Sequence, residues 1–139
     1  SRGLGDVYKR QGLHLLLAED NELNSEIATA LLEEQGASIT AVENGRLALE
    51  AIQNAAPRTY DAILMDVMMP EMNGLEATRC IRAFEGKGPG EGTPIIAMTA
   101  NVFADDVKAC LDAGMNSHVG KPLDMKVLIG EILKYTDAR

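Results

Sequence analysis

Four short stretches carry the groups that could do chemistry: the acidic pair Glu19-Asp20, Asp66 in Leu64-Met65-Asp66, Thr99 in Met98-Thr99-Ala100, and Lys121 before Pro122. Taken singly, each has an ordinary explanation: a solvated turn, a carboxylate capping the turn before Pro70, a helix N-cap and an edge lysine. Brought together, they would behave differently. Two carboxylates about 4 Å apart repel by roughly 4 kcal/mol at an effective dielectric of about 20, so three packed together demand a proton or a cation. Oxygen donors alone favour Mg2+, which keeps several waters and binds through one or two carboxylates plus phosphoryl oxygens. The cation would leave Asp66 ionised as a nucleophile, with Lys121 and the Thr99 hydroxyl holding the remaining oxygens of a phosphoryl group. These parts suffice for phosphoryl transfer to Asp66.

The chain around these groups must bring them to one place. Leu13 to Ala18, Ala62 to Met65 and Pro94 to Thr99 are apolar runs too short for stable helices, and read as strands buried on both faces of a parallel sheet. Ser38 to Val42 supplies a short strand, and Ser117 to Lys121 a fifth that ends in the lysine. Between them the apolar residues recur at helical spacing. The first helix, Asn24 to Gln35, places Ile27, Ala28, Leu31 and Leu32 inward and is capped near Gly36; the second opens at Asn44-Gly45, carries Leu47, Ala48, Ala51 and Ile52, and ends before Pro57. The third, about Leu75 to Phe84, turns Ala77, Cys80, Ile81 and Phe84 inward. The fourth, Ala104 to Ala113, carries Val107, Cys110 and Leu111 on one face and stops at Gly114; the last buries Leu128, Ile129, Ile132 and Leu133. Five strands alternating with five helices predict an open, doubly wound α/β sandwich, whose strand carboxyl ends all lie on one edge. Glu85 to Gly92 holds four glycines in eight residues and reads as a flexible loop at the opposite edge. It leads into a strand, which argues against a phosphate cradle at a helix N-terminus.

A length of 139 residues fits one domain. The 4% aromatic content, without tryptophan, argues against a stacking platform for bases, and the net charge of -8 disfavours nonspecific binding to nucleic acid or anionic membranes. Cys80 and Cys110 lack metal-ligand spacing and read as reduced thiols, in keeping with the cytoplasm. No stretch approaches the roughly 20 apolar residues of a membrane span. Ser1 to Gln11 shows no core pattern and is read as a leader or linker outside a domain of residues 12–136, with 137–139 as a tail.

The segments Ala18-Glu19-Asp20-Asn21-Glu22-Leu23-Asn24, Met65-Asp66-Val67-Met68-Met69-Pro70-Glu71-Met72-Asn73-Gly74, Ile96-Ala97-Met98-Thr99-Ala100-Asn101 and Lys121-Pro122 together resemble a response-regulator receiver domain. This is the phosphoacceptor module of two-component signalling, and the wording is similar to receivers fused to hybrid sensor histidine kinases. The resemblance covers Leu13 to Tyr135. It implies a flavodoxin-like (CheY-like) five-stranded parallel sheet of order 2-1-3-4-5 with five helices, and a signalling domain rather than an enzyme. It implies a phosphohistidine donor, on a histidine kinase or histidine phosphotransfer domain, and it allows a homodimer. It also implies Mg2+ held by Asp20, Asp66 and the backbone carbonyl of Met68, with Glu19 acting through water, and a cis bond before Pro122. Thr99 and the position three before Lys121 form the family's switch. That position is usually aromatic, but here it is His118, a smaller and titratable side chain.

The competing readings are weaker on the residues. A haloacid-dehalogenase-type phosphatase wants a second acid two residues after Asp66, where Met68 stands, and a flavodoxin-type loop would not tolerate Glu19-Asp20-Asn21-Glu22 against a phosphate. The remaining alternative is a pseudo-receiver, an interaction module that works without phosphorylation.

Overall fold

The structure is a computed structural model that describes residues 12–137; the expected leader, Ser1 to Gln11, lies outside the described residues, as do positions 138 and 139 of the expected tail. Strands β1 (His14–Ala18), β2 (Ser38–Val42), β3 (Ala62–Asp66), β4 (Ile95–Thr99) and β5 (Ser117–Gly120) alternate with helices α1 (Glu22–Glu34), α2 (Gly45–Asn54), α3 (Gly74–Glu85), α4 (Ala104–Ala113) and α5 (Met125–Thr136). All strand pairs are parallel and the order is β2-β1-β3-β4-β5. Sequence and structure agree on the class, the order and the number of elements.

The period of two along each strand divides the core. Leu15, Leu17, Leu64, Ile96, Met98 and Val119 face α1 and α5, where they meet Ala28, Leu32, Leu128, Ile129, Ile132 and Leu133. Leu16, Ala18, Ile63, Met65, Ile95 and Ala97 face the other way, against Ala48 of α2, Ala77 and Ile81 of α3 and Cys110 of α4. The central strands are buried throughout, and each fully buried aliphatic side chain contributes about 1.5–3 kcal/mol.

Caps set the helix ends. Asn21, Asn44 and Asp124 accept backbone N–H bonds at the starts of α1, α2 and α5, and Asn73 with Glu76 forms a capping box on α3. Helix α1 closes past Gln35 with Gly36 at φ 96°, the Gly36 N–H bonding Glu33 and the Ala37 N–H bonding Leu32.

Four inward assignments are corrected. Ile27 and Leu31 are exposed, because α1 sets its Ala28–Leu32 side on the sheet and turns Ile27 and Leu31 toward a cleft in front of α5. Phe84 is exposed because the buried face of α3 runs through Gly74, Ala77, Thr78, Ile81 and Arg82, and Leu111 is exposed because α4 buries Cys110 and Ala113. Two of these buried residues are polar and carry their own partners. The Thr78 hydroxyl donates to the Gly74 carbonyl, and Arg82 donates to the Gly114 and Thr93 carbonyls, Asn116 Oδ1 and Glu85.

The glycine-rich segment is also tied more closely than its composition predicts. Asn116 Nδ2 donates to the Pro89 carbonyl at 2.7 Å, Gly92 is buried, and a side chain at Gly92 would collide with Glu85 and Arg82.

Candidate functional site

The edge where the strands end gathers the candidate residues. Asp66 is the last residue of β3, Thr99 the last of β4, Glu19 and Asp20 directly follow β1, and Lys121 directly follows β5. Glu19, Asp66 and Thr99 are 5%, 5% and 7% exposed, whereas Asp20 is open to solvent. One carboxylate oxygen from each of Glu19, Asp20 and Asp66 lies within 4.8 Å of the other two, a spacing that could hold a metal ion. Lys121 Nζ stands 3.0 Å from Asp66 Oδ2 and 3.3 and 3.4 Å from the two Glu19 oxygens.

The electrostatics reflect this crowding. Burial, and then the neighbouring Asp66 carboxylate, push Glu19 up to about 7, although Asn24 and Lys121 pull the other way. Burial alone would lower the Lys121 pKa, but its hydrogen bond to Asp66 and the charges of Asp66 and Glu19 hold it above the usual lysine value. The acidic cluster therefore carries repulsion that one ammonium only partly offsets. An all-oxygen donor set with this repulsion fits a hard divalent cation.

The loop after Asp66 is closed on itself. The Gly74 N–H donates to the Val67 carbonyl at 2.9 Å, and a Cβ at Gly74 would run into the Asp66 carbonyl, so only glycine lets α3 begin this close. Inside the loop the Met68 N–H points to Asp66 Oδ1 at 3.4 Å, while the Met68 side chain is 75% exposed.

The sequence-selected residues are not all brought together. Glu19, Asp20, Asp66 and Lys121 form one cluster. The Thr99 hydroxyl reaches the same edge but is turned into its own loop, donating to the Asn101 carbonyl and accepting from the Asn101 N–H, each at 3.0 Å. His118 stands away from the cluster, half-buried in β5, paired with Ala97 and facing the α2–α4 side. The Lys121–Pro122 bond is cis. The contact of Lys121 with Glu19 is absent from the sequence reading; a lysine and a glutamate 102 positions apart give no signal until the sheet order is known. The asparagine and glycines flanking the loops did carry one, as Asn44, Gly45 and Gly74 all pack against the segment that follows Asp66.

The family model for the response regulator receiver domain matches residues 15–133. The chain belongs to the response regulator receiver family. Among its relatives, "Probable histidine kinase 1" of Oryza sativa subsp. indica is 41% identical over 166 aligned positions, which take in 90% of this chain and 17% of that protein. The receiver thus spans less than a fifth of that relative. Among solved structures, the receiver domain of a sensor histidine kinase from Pseudomonas aeruginosa PAO1, with a magnesium ion coordinated in its active-site cleft, shares 37% identity at a TM-score of 0.78; 91% of this chain and 98% of that one are covered. The receiver domain of the Saccharomyces cerevisiae response regulator Ssk1, crystallised with the histidine phosphotransfer protein Ypd1, superposes at 0.80 with 26% identity, covering 90% and 89%. The receiver described here shares the fold of these neighbours.

Proposed function

We propose that this receiver, residues 12–136, takes a phosphoryl group from a phosphohistidine onto Asp66 in a Mg2+-dependent reaction and changes its affinity for partners as a result. The observation that carries the reading is the placement of the Asp66 carboxylate, sequestered at a strand end and held between the Lys121 ammonium and two further carboxylates. Asp20, Asp66 and the Met68 carbonyl would hold the Mg2+, with Glu19 acting through water. Bound there, it would screen the carboxylates and neutralise charge on the transferring phosphoryl oxygens.

The chain's own residues do the rest. An oxygen of Asp66 attacks phosphorus as the phosphorus–nitrogen bond breaks, and the bonding electron pair returns to the donor's imidazole. Lys121 takes a phosphoryl oxygen in place of its present contact with Asp66. The Thr99 hydroxyl leaves Asn101 for another oxygen, and His118, the next half-buried side chain on the α4 side, follows. Coupling of roughly 1–3 kcal/mol between the acyl phosphate and a partner surface is typical of such switches.

The raised pKa of Glu19 gives the metal step a pH dependence. A folded-state pKa of about 7 against an ordinary value of 4.5 means that Glu19 keeps its proton in the folded protein over that window. Its contribution to the stability of the metal-free protein is therefore greatest below pH 4.5 and is lost as pH rises through about 7. Mg2+ favours the deprotonated site, so its affinity rises over the same interval. Isothermal titration should show binding about tenfold tighter near pH 8 than near pH 6, with proton release at the lower pH. Equal affinities would contradict the assignment.

The donor has to dock beside this edge. Helix α1 exposes Leu23, Ile27 and Leu31, and Ile27 and Leu31 line a cleft of about 520 Å3 that has Glu19 and Lys121 at one end and Leu123 and Met125 on its far wall. An apolar ridge of a helical histidine phosphotransfer protein fits such a groove. Ile27→Glu should reduce phosphotransfer from a protein donor by at least tenfold while leaving phosphorylation by acetyl phosphate within twofold, because only the former needs the face. Equal loss with both donors would overturn the docking assignment. The free thiols Cys80 and Cys110 and the match to histidine kinases support a cytoplasmic receiver segment of a hybrid histidine kinase.

A further inference from the structure

The segment that follows Asp66 contains a strained turn at the site edge. Glu71 has φ 64°, and the Met72 N–H donates to the Pro70 carbonyl at 2.7 Å, so Glu71 is the centre of a three-residue γ-turn of the rare positive-φ kind. A non-glycine residue persists there only when its surroundings hold it.

The N-terminus of α2 is what holds it. Arg46 Nε donates to Glu71 Oε2 at 3.0 Å and Asn44 Nδ2 approaches the same oxygen at 3.5 Å, while the Asn44 side chain also caps α2 at Leu47. The Gly45 N–H donates to the Met72 carbonyl at 2.9 Å, and a Cβ at Gly45 would collide with that carbonyl. The N-cap Asn44 and the first two residues of α2 thus fix the far side of a loop whose near side is pinned by Gly74 to Asp66 and Val67. Met68 sits between the two anchors, three residues before the central residue of the turn.

We propose that Glu71 is a positioning residue: gripped by Asn44 and Arg46, it fixes the loop so that the Met68 carbonyl is presented to a divalent cation bound at Asp20 and Asp66. This rests on the reading of the acidic cluster as a Mg2+ site. The role suits a side-chain pair that is half exposed, since its effect is on loop geometry rather than on global stability.

The test is Mg2+ titration of the receiver followed by the backbone amide resonances of Met68 and Met69. Glu71→Ala should weaken Mg2+ binding roughly tenfold. Glu71→Gln, which keeps an acceptor for Arg46, should recover most of the affinity, as should the charge-exchanged pair Arg46→Glu with Glu71→Arg. The gap between wild type and Glu71→Ala should narrow at about 1 M salt, which screens an exposed ion pair but not a packing defect. Wild-type affinity in Glu71→Ala, or a gap that salt and charge exchange leave untouched, would overturn the proposal. Failure of the wild type itself to bind Mg2+ would overturn the metal site, and this inference with it.

Discussion

Lys121→Ala will slow phosphorylation of Asp66 by acetyl phosphate roughly 100- to 1,000-fold, the usual consequence of removing one preorganised donor from developing charge. The expectation follows from what Lys121 touches. Its ammonium bridges Asp66 and Glu19, whose side chains are only 8% and 4% exposed, and its Nζ stands 3.0 Å from Asp66 Oδ2, on the carboxylate proposed to attack. Without it, Glu19 loses the charge that pulls its pKa down, so the variant's site keeps a proton at neutral pH. The variant should therefore bind Mg2+ more weakly at neutral pH and recover part of that binding as pH rises. A mass time course at saturating Mg2+ separates the two effects, since only the rate loss persists there. A saturated rate within threefold of wild type would contradict the role given to the lysine.

Arg82→Met will lower the unfolding free energy by about 3–5 kcal/mol without damaging the site. Arg82 is 8% exposed at the opposite edge of the sheet, where it joins the end of α3, the residue before Pro94 and the turn into β5. Methionine fills the volume but leaves the Thr93 and Gly114 carbonyls, Asn116 Oδ1 and the Glu85 carboxylate without this donor. Glu85 then becomes a nearly buried charge whose remaining partners are the Thr93 N–H and hydroxyl. Urea denaturation measures the loss, and replacing Glu85 by leucine in the same variant should restore part of it. The remaining folded fraction should accept phosphate at the wild-type rate. A loss under about 1 kcal/mol would show that the network is not what holds the glycine-rich segment.

The alternation of apolar runs made the sheet legible before any coordinates, because strands buried on both faces have no polar period to confuse with a helix. The acids, hydroxyl and lysine were legible for the same reason: each closes such a run, and parallel strands put all such closures on one edge. Helix faces were less legible. An apolar stripe on α1 does not distinguish Ala28 and Leu32, which reach the sheet, from Ile27 and Leu31, which line an open cleft, since that depends on how far α5 stands away. Arg82 was invisible as a core residue, because a buried guanidinium is bought chiefly by partners just before β4 and in the α4–β5 turn, which no local window around α3 contains. The hold of Arg46 on Glu71 spans 25 positions and depends on the loop after β3 passing beside the N-terminus of α2. The Thr99 bonds to Asn101 are local, but which of several partners the hydroxyl takes is decided by the loop's conformation.

The most direct test of the phosphoacceptor reading is the intact mass of the protein after acetyl phosphate, with and without Mg2+, for wild type and Asp66→Ala in parallel. The account predicts a single added phosphoryl group in wild type with Mg2+ and none in wild type without Mg2+ or in Asp66→Ala. A folded, Mg2+-treated wild type that takes up no phosphoryl group, or an Asp66→Ala variant that takes up as much, would contradict it, and the former would leave a receiver that works through binding alone.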